Sequence, residues 1–179
     1  MLYTKTALAG AIIIDIQKIQ DERGFFAYSF DAQEAASQGL NLNFVQAKIS
    51  FNHIKGIVRG MHWQVAPSME TKLIRCTRGA IHDVIVDLRP GSSTYGKHIA
   101  VELSAENRRA LFVPELFAHG YQTLMDSTEV TYQVNAVYAP ACERGLRHDD
   151  PALGIRWPLP VSLISPKDQK WPAFTPDRS

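Results

Sequence analysis

Lys72-Leu73-Ile74-Arg75-Cys76, then Thr77-Arg78-Gly79, then Ala80-Ile81-His82-Asp83-Val84-Ile85-Val86-Asp87-Leu88 is the stretch that decides the fold class. Both outer runs are rich in apolar residues. In the second, Val84, Val86 and Leu88 alternate with Asp83, Ile85 and Asp87, which is the period of a strand. A three-residue connection ending in Gly predicts that the two runs pair as a hairpin. Further strand patterns lie on either side, at Ala11 to Ile16, Phe44 to Phe51, Lys97 to Leu103, Arg109 to Val113, Gly120 to Leu124 and Glu129 to Asn135. They are separated by turn chemistry such as Arg89-Pro90-Gly91-Ser92. Many short strands at this spacing predict an all-β sandwich or barrel.

One helix is signalled, from Ala32 to Gln38, with Asp31 as N-cap, Glu34 three residues on and Gly39 as the stop. It reads as a peripheral decoration. After Tyr138 the pattern loosens into Pro140, Pro151, Pro158, Pro160, Pro166, Pro172 and Pro176, yet still carries Ile155, Trp157, Leu159, Ile164 and Trp171. That composition predicts a segment wrapped across the sheets, with one domain over 1–179.

The chain has 179 residues, 45% hydrophobic and 21% charged, which is the composition of an ordinary globular protein. With 19 Lys+Arg against 18 Asp+Glu the formal net charge is +1, so no long-range field attracts a polyanion and nucleic-acid binding is not expected. A local basic pocket could still hold a phosphate. Two cysteines, Cys76 and Cys142, are too few for a disulfide scaffold and are expected to be reduced and buried. The apolar run Ala7 to Ile16 is too short to span a bilayer and lacks a basic leader, so neither a signal peptide nor a membrane span is expected, and a cytoplasmic location follows.

Chemistry-bearing residues cluster in a few places. His62, in Arg59-Gly60-Met61-His62, follows a turn at the expected start of a strand and can serve as a general base, or equally as a satisfied structural histidine. Arg59 beside it suits phosphate, and Lys72 in a neighbouring strand suits a developing oxyanion. His119 follows the turn after Pro114 and could be a metal ligand, a second base or a structural donor. A metal-dependent cupin built on His62 and His119 is therefore an alternative, although the chain has no His-x-His pair and no Glu shortly after His62. Tyr132 and Tyr138 sit on and just beyond a strand, where packing alone also places aromatics. Arg23 with Phe25 and Phe26 is a basic and aromatic cluster that suits a nucleotide, and equally a strand start with core rings.

Taken in order, Asp21-Glu22-Arg23-Gly24-Phe25-Phe26, Phe44-Val45-Gln46, Arg59-Gly60-Met61-His62, Lys72-Leu73-Ile74-Arg75-Cys76, Leu103-Ser104-Ala105-Glu106-Asn107, Phe117-Ala118-His119-Gly120, Ile155-Arg156-Trp157-Pro158 and Ser165-Pro166-Lys167-Asp168 resemble the dTDP-4-dehydrorhamnose 3,5-epimerase family, from about residue 5 to residue 170. The resemblance implies a cupin-type jelly roll or double-sheet β-sandwich, a homodimer, no metal or organic cofactor, and a nucleotide-linked 4-keto-6-deoxyhexose as substrate. It makes His62 the general base with Asp168 as its partner carboxylate, Tyr132 the acid on the opposite sugar face, and Lys72 the stabiliser of the C4 enolate oxygen. Arg59 and His119 line the same pocket, while Arg23, Phe25, Phe26, Gln46 and Tyr138 resemble residues that hold the diphosphate and base, some of them across the dimer interface. Tyr28 and Lys48 stand where dTDP-specific members usually carry Glu and Asn, and Met61 and Leu116 replace a usual Leu and Gly. The first expectation is inversion of both C3 and C5 through an enolate, with dTDP as the default carrier; the alternative is epimerisation at only C3 or only C5, or the same chemistry on a CDP- or GDP-linked sugar. A noncatalytic sugar-binding cupin is disfavoured by the joint presence of His62, Lys72, Tyr132 and Asp168.

Overall fold

The computed structural model describes residues 1–40 and 42–175; Pro176 lies outside them. In chain order the elements are β1 (Leu2–Lys5), β2 (Ile12–Asp15), β3 (Ile19–Asp21), β4 (Gly24–Phe26), α1 (Ala32–Ser37), β5 (Gln46–Asn52), β6 (Ile57–Gln64), β7 (Lys72–Arg78), β8 (Ala80–Asp87), β9 (His98–Ser104), β10 (Ala110–Val113), β11 (Phe117–Thr123), β12 (Thr128–Val134), β13 (Glu143–Gly145), β14 (Leu163–Ile164) and α2 (Pro166–Gln169). One sheet has the order β1-β2-β10-β7-β12-β5 and the other β13-β6-β11-β8-β9, with β14 added in parallel to β6 and β3-β4 forming a separate hairpin. The two large sheets face each other in a cupin-type jelly roll, as the sequence predicts.

The expected hairpin between Lys72–Cys76 and Ala80–Leu88 is not what forms. β7 pairs with β10 and β12, whereas β8 pairs with β11 and β9, so the stretch crosses from one sheet to the other. Gly79 makes the crossing at φ +74°, a region that L side chains avoid, and a Cβ there would stand 2.4 Å from the Thr128 hydroxyl. Ile74 and Cys76 then meet Ile81 and Ile85 across the sandwich in one buried cluster with Phe117, Leu111 and Val130. Facing one another across a core stabilises these side chains more than lying side by side would, because each buries its full apolar area.

Each sheet is covered on its outer face as well. Asp31 caps α1 by accepting from the Glu34 amide at 2.8 Å, and Ala35 with Leu40 packs on Leu73, Ala110 and Phe112 of the first sheet. Over the second sheet, Leu146, Leu153 and Trp157 pack on Met61, Val84, Val86 and Ala118, so the Pro-rich segment wraps as the sequence predicts. Pro140 and Pro166 open a short 3₁₀ turn and α2, where a missing N–H costs nothing. Cys76 is buried and Cys142 only half-buried, a partial departure from expectation, and both are free thiols.

His62 lies near the end of β6, not at the start of a strand, because the turn that launches β6 is at Gly56 (φ +81°). Gly60 and Gly120 meet where β6 and β11 cross at a shift in register: a Cβ on Gly60 would stand 2.5 Å from the Gly120 Cα. That close approach brings His62 and His119 into direct cross-strand register. Leu116, just before β11, holds φ +60°, a conformation suited to the Gly that the resemblance leads one to expect there.

Replacing Gly79 with Ala is expected to lower stability by about 1–3 kcal/mol through the positive φ, with the Thr128 clash adding to it. Urea unfolding at equilibrium checks this; an unchanged midpoint would mean that the crossing is not constrained there.

Candidate functional site

Between the open ends of the two sheets lies a cavity of about 930 Å³. Strand alternation decides what faces it. On the first sheet the pairing Tyr132↔Lys48 sets these two side chains on the cavity side, with Gln46 next along β5 and Lys72 from β7. On the second sheet β6 supplies His62 and Gln64, and β11 supplies His119 and Tyr121.

His62 Nε2 is 2.6 Å from Asp168 Oδ1. Asp168 is held from three further sides: the Gly60 amide donates to Oδ2 at 3.3 Å, the Trp171 indole to Oδ1 at 3.3 Å, and the Ser165 hydroxyl caps its backbone N–H at 3.0 Å. Burial opposes ionisation of this carboxyl, but the hydrogen bond and charge of His62 outweigh it and the pKa lies below the usual carboxylate range. An ionised carboxylate only accepts, so Nε2 carries a proton, and in the neutral ring Nδ1 is then the nitrogen with the free lone pair. An imidazole held in this way can accept a proton at Nδ1.

Lys72 Nζ donates to the His62 carbonyl at 3.1 Å and pairs with Glu70 Oε1 at 3.1 Å. Burial pulls its pKa down and the Glu70 carboxylate pulls it back up, leaving it lowered on balance. Burial also raises the Tyr132 pKa, which keeps that phenol protonated and able to donate. His119 Nε2 meets Asp83 Oδ1 at 2.7 Å, a second buried imidazole–carboxylate pair beside the first. Arg59 is set by Nε donating to Asn52 Oδ1 at 2.7 Å, and Tyr121 Oη is tied to Ser50 and Asn52.

At the rim, Tyr138 Oη donates to Glu143 Oε2 at 2.7 Å, and its backbone N–H donates to Gln46 Oε1 at 3.3 Å. Glu143 is also paired with Lys167, which lies over the Trp171 ring. The Lys48 ammonium is 5.8 Å from the Tyr138 ring centroid. The open cavity therefore carries cations at Lys48, Arg59, Lys72 and Lys167, with a flat aromatic wall at Tyr138. It can hold a compact anion attached to a ring system.

Nine of the residues expected from sequence line this one cavity: Gln46, Lys48, Arg59, His62, Lys72, His119, Tyr132, Tyr138 and Asp168. Arg23, Phe25, Phe26 and Tyr28 do not. They sit on or beside the β3-β4 hairpin, with the Arg23 side chain 90% exposed and bonded only within its own turn to Asp21. Phe26 and Tyr28 pack edge to face at 5.3 Å in the open. Sequence reasoning missed Glu70, Glu143 and Lys167. Glu143 pairs with Gln64 in the ladder, and Lys167 adjoins the identified Asp168, a neighbour that could have been found. Among the described residues no three His, Cys, Asp or Glu side chains converge as metal ligands, and no helix is long and apolar enough to cross a membrane.

The family model for dTDP-4-dehydrorhamnose 3,5-epimerase matches residues 5–176. A dTDP-4-dehydrorhamnose 3,5-epimerase from Methanothermobacter thermautotrophicus is 44% identical over 172 residues, spanning 94% of this chain and 92% of that protein. Among solved structures, the Bacillus anthracis dTDP-4-dehydrorhamnose 3,5-epimerase, with TDP and PPi bound, superimposes with a TM-score of 0.94 at 37% identity, covering 97% of this chain and 99% of the other. A Legionella pneumophila dTDP-6-deoxy-D-glucose-3,5-epimerase in complex with dTDP-4-keto-L-rhamnose gives 0.87 at 37% identity, covering 93% and 89%. The order of motifs, the jelly roll and the near-complete matches agree, and the chain belongs to the dTDP-4-dehydrorhamnose 3,5-epimerase family.

Proposed function

We propose that the protein inverts C3 and C5 of dTDP-4-dehydro-6-deoxyglucose, giving dTDP-4-dehydrorhamnose, without a metal or organic cofactor. The observation that carries this is the placement of an oriented base and a protonated phenol on facing sheets: His62 with Asp168 on one side of the cavity, Tyr132 on the other. Inverting a stereocentre requires removing a proton from one face and returning one to the opposite face, so a ring held between the sheets meets both groups.

The C3 and C5 protons both flank the C4 ketone. His62 takes the C3 proton through Nδ1, the electron pair moves into the C3–C4 bond, and O4 gains negative charge. Lys72 stabilises that oxygen, an effect worth about 3–4 kcal/mol for a well-placed donor. Reprotonation from Tyr132 on the other face restores the ketone; the imidazolium then releases its proton to water, the phenolate takes one back from water, and the same sequence acts at C5. Asp168 stabilises the imidazolium formed at each step. Arg59 and Lys48 hold the diphosphate in this reading, and Tyr138 the base.

The dTDP carrier is supported by the substrates and ligands named for the relatives. Homodimer formation is supported by the outer face of the edge strand β5, where Ile49 is 71% exposed and Ala47 and Phe51 are also exposed. It would also give a use to the exposed hairpin, whose Arg23, Phe25, Phe26 and Tyr28 would reach a second copy's cavity. The two free thiols fit a reducing compartment such as the cytoplasm.

In heavy water with dTDP-, CDP- and GDP-linked 4-keto-6-deoxyglucose, NMR is expected to find deuterium entering both C3 and C5 of the dTDP sugar. Entry at one carbon would reduce the enzyme to a mono-epimerase, and no entry with any carrier would refute the reading. His62→Ala is expected to lose turnover on the order of 10²–10⁴-fold while retaining ligand binding. Tyr132→Phe should retain exchange but fail to invert. Ile49→Asp should convert a sedimenting dimer to monomer; an unaltered sedimentation coefficient would place the interface elsewhere.

A further inference from the structure

The loop before β7 places one carboxylate between two cavity lysines. Glu70 Oε1 pairs with Lys72 Nζ at 3.1 Å, and Glu70 Oε2 is 4.0 Å from Lys48 Nζ. The Glu70 and Lys72 side chains are only 8% and 9% exposed, so water does little for either charge. Among the described residues Glu70 Oε2 has no hydrogen-bond partner, and Lys48 Nζ stands 4.0 Å from it. Lys72 Nζ donates to the His62 carbonyl and forms an ion pair with Glu70, and its side chain lines the cavity.

We infer that Glu70 is a positioning residue for the reaction: its carboxylate keeps the Lys72 ammonium charged and aimed into the cavity, and Lys48 tunes that effect by sharing the same carboxylate. The inference rests on the assignment of Lys72 to the C4 oxygen. A buried lysine without a counter-ion drifts toward the neutral amine, which cannot stabilise an oxyanion by charge. The groups around the ammonium are Glu70 before β7, Lys48 on β5, the His62 carbonyl on β6, Asp83 on β8 with its His119 partner on β11, and Tyr132 on β12. Asp83 engages His119 through Oδ1 and forms no ion pair with Lys72, so Glu70, at 3.1 Å, is the acid that pairs with Lys72 directly. Lys48 works in the opposite sense, since a second cation near the pair disfavours the charged amine. Binding of a diphosphate that draws Lys48 away would leave the whole carboxylate to Lys72, so occupancy of the anion subsite would reinforce the charge at the reacting one.

Glu70→Gln keeps size and an acceptor oxygen while removing the charge. An unperturbed lysine titrates near 10.4. The variant is expected to lose kcat/KM at lower pH than the wild type, so that its activity at about pH 9 relative to about pH 7 falls roughly tenfold further. KM near neutrality should change less than kcat. Glu70→Asp should restore most of the alkaline activity, and Lys48→Met should move the alkaline fall to higher pH. Because Tyr132 also senses Glu70, the Lys72 side chain is followed directly by NMR of lysine-labelled protein, its signal assigned by its loss in Lys72→Met. Its titration should move to lower pH in Glu70→Gln and to higher pH in Lys48→Met. Coincident wild-type and Glu70→Gln titrations would overturn the inference. If Glu70→Gln does not fold, an unmoved Lys72 titration in Lys48→Met would overturn it. The NMR readout needs no turnover, so a wild type inert on every 4-keto sugar would count against the proposed function alone.

Discussion

The carboxylate of Asp168 is the point on which the site depends. It lies in a helix of four residues, too short to hold itself, and it is fixed by what it binds: the His62 ring, the Gly60 amide and the Trp171 indole. These contacts close the distance between β6 and the end of the chain, a separation of 106 positions. Burying that charge carries a desolvation penalty that the surrounding donors offset, which is why the group stays ionised where an isolated carboxylate would take up a proton.

Around that anchor the jelly roll performs a separation of labour. Apolar side chains fill the middle of the sandwich and both outer faces, while one open end collects the polar groups. Four of these groups are matched to a partner of opposite demand: His62 with Asp168, His119 with Asp83, Lys72 with Glu70, Arg59 with Asn52. The matching fixes rotamers before any ligand arrives, which is the condition for electrostatic stabilisation without reorganisation.

Much of this was legible in the sequence because strand periodicity is a local property. Knowing that Tyr132 and Lys48 fall on strands is enough to give them a face, and the ordered motifs named the residues that converge. The hairpin was misread for a physical reason. When both faces of a sheet are covered, Val84 and Val86 pack outward under the C-terminal wrap while Ile81 and Ile85 pack inward, so alternation no longer says which partner a strand has. Glu70 carried no pattern of its own, since an acid before a strand reads as a solvated turn until the fold sets it beside two lysines. The exposed hairpin carrying Arg23 and Tyr28 was hidden differently, because its contacts within the chain are mostly to itself.

The long reach from β6 to α2 also orders events in time. Apart from the short β13 and β14, the strands of both large sheets are complete by Val134, well before Asp168 leaves the ribosome. A nascent chain can thus bury most of its core while His62 still lacks the carboxylate that orients its ring. A chain cut short within the Pro-rich wrap would keep the main strands of both sheets but leave the His62 ring without the carboxylate that holds it.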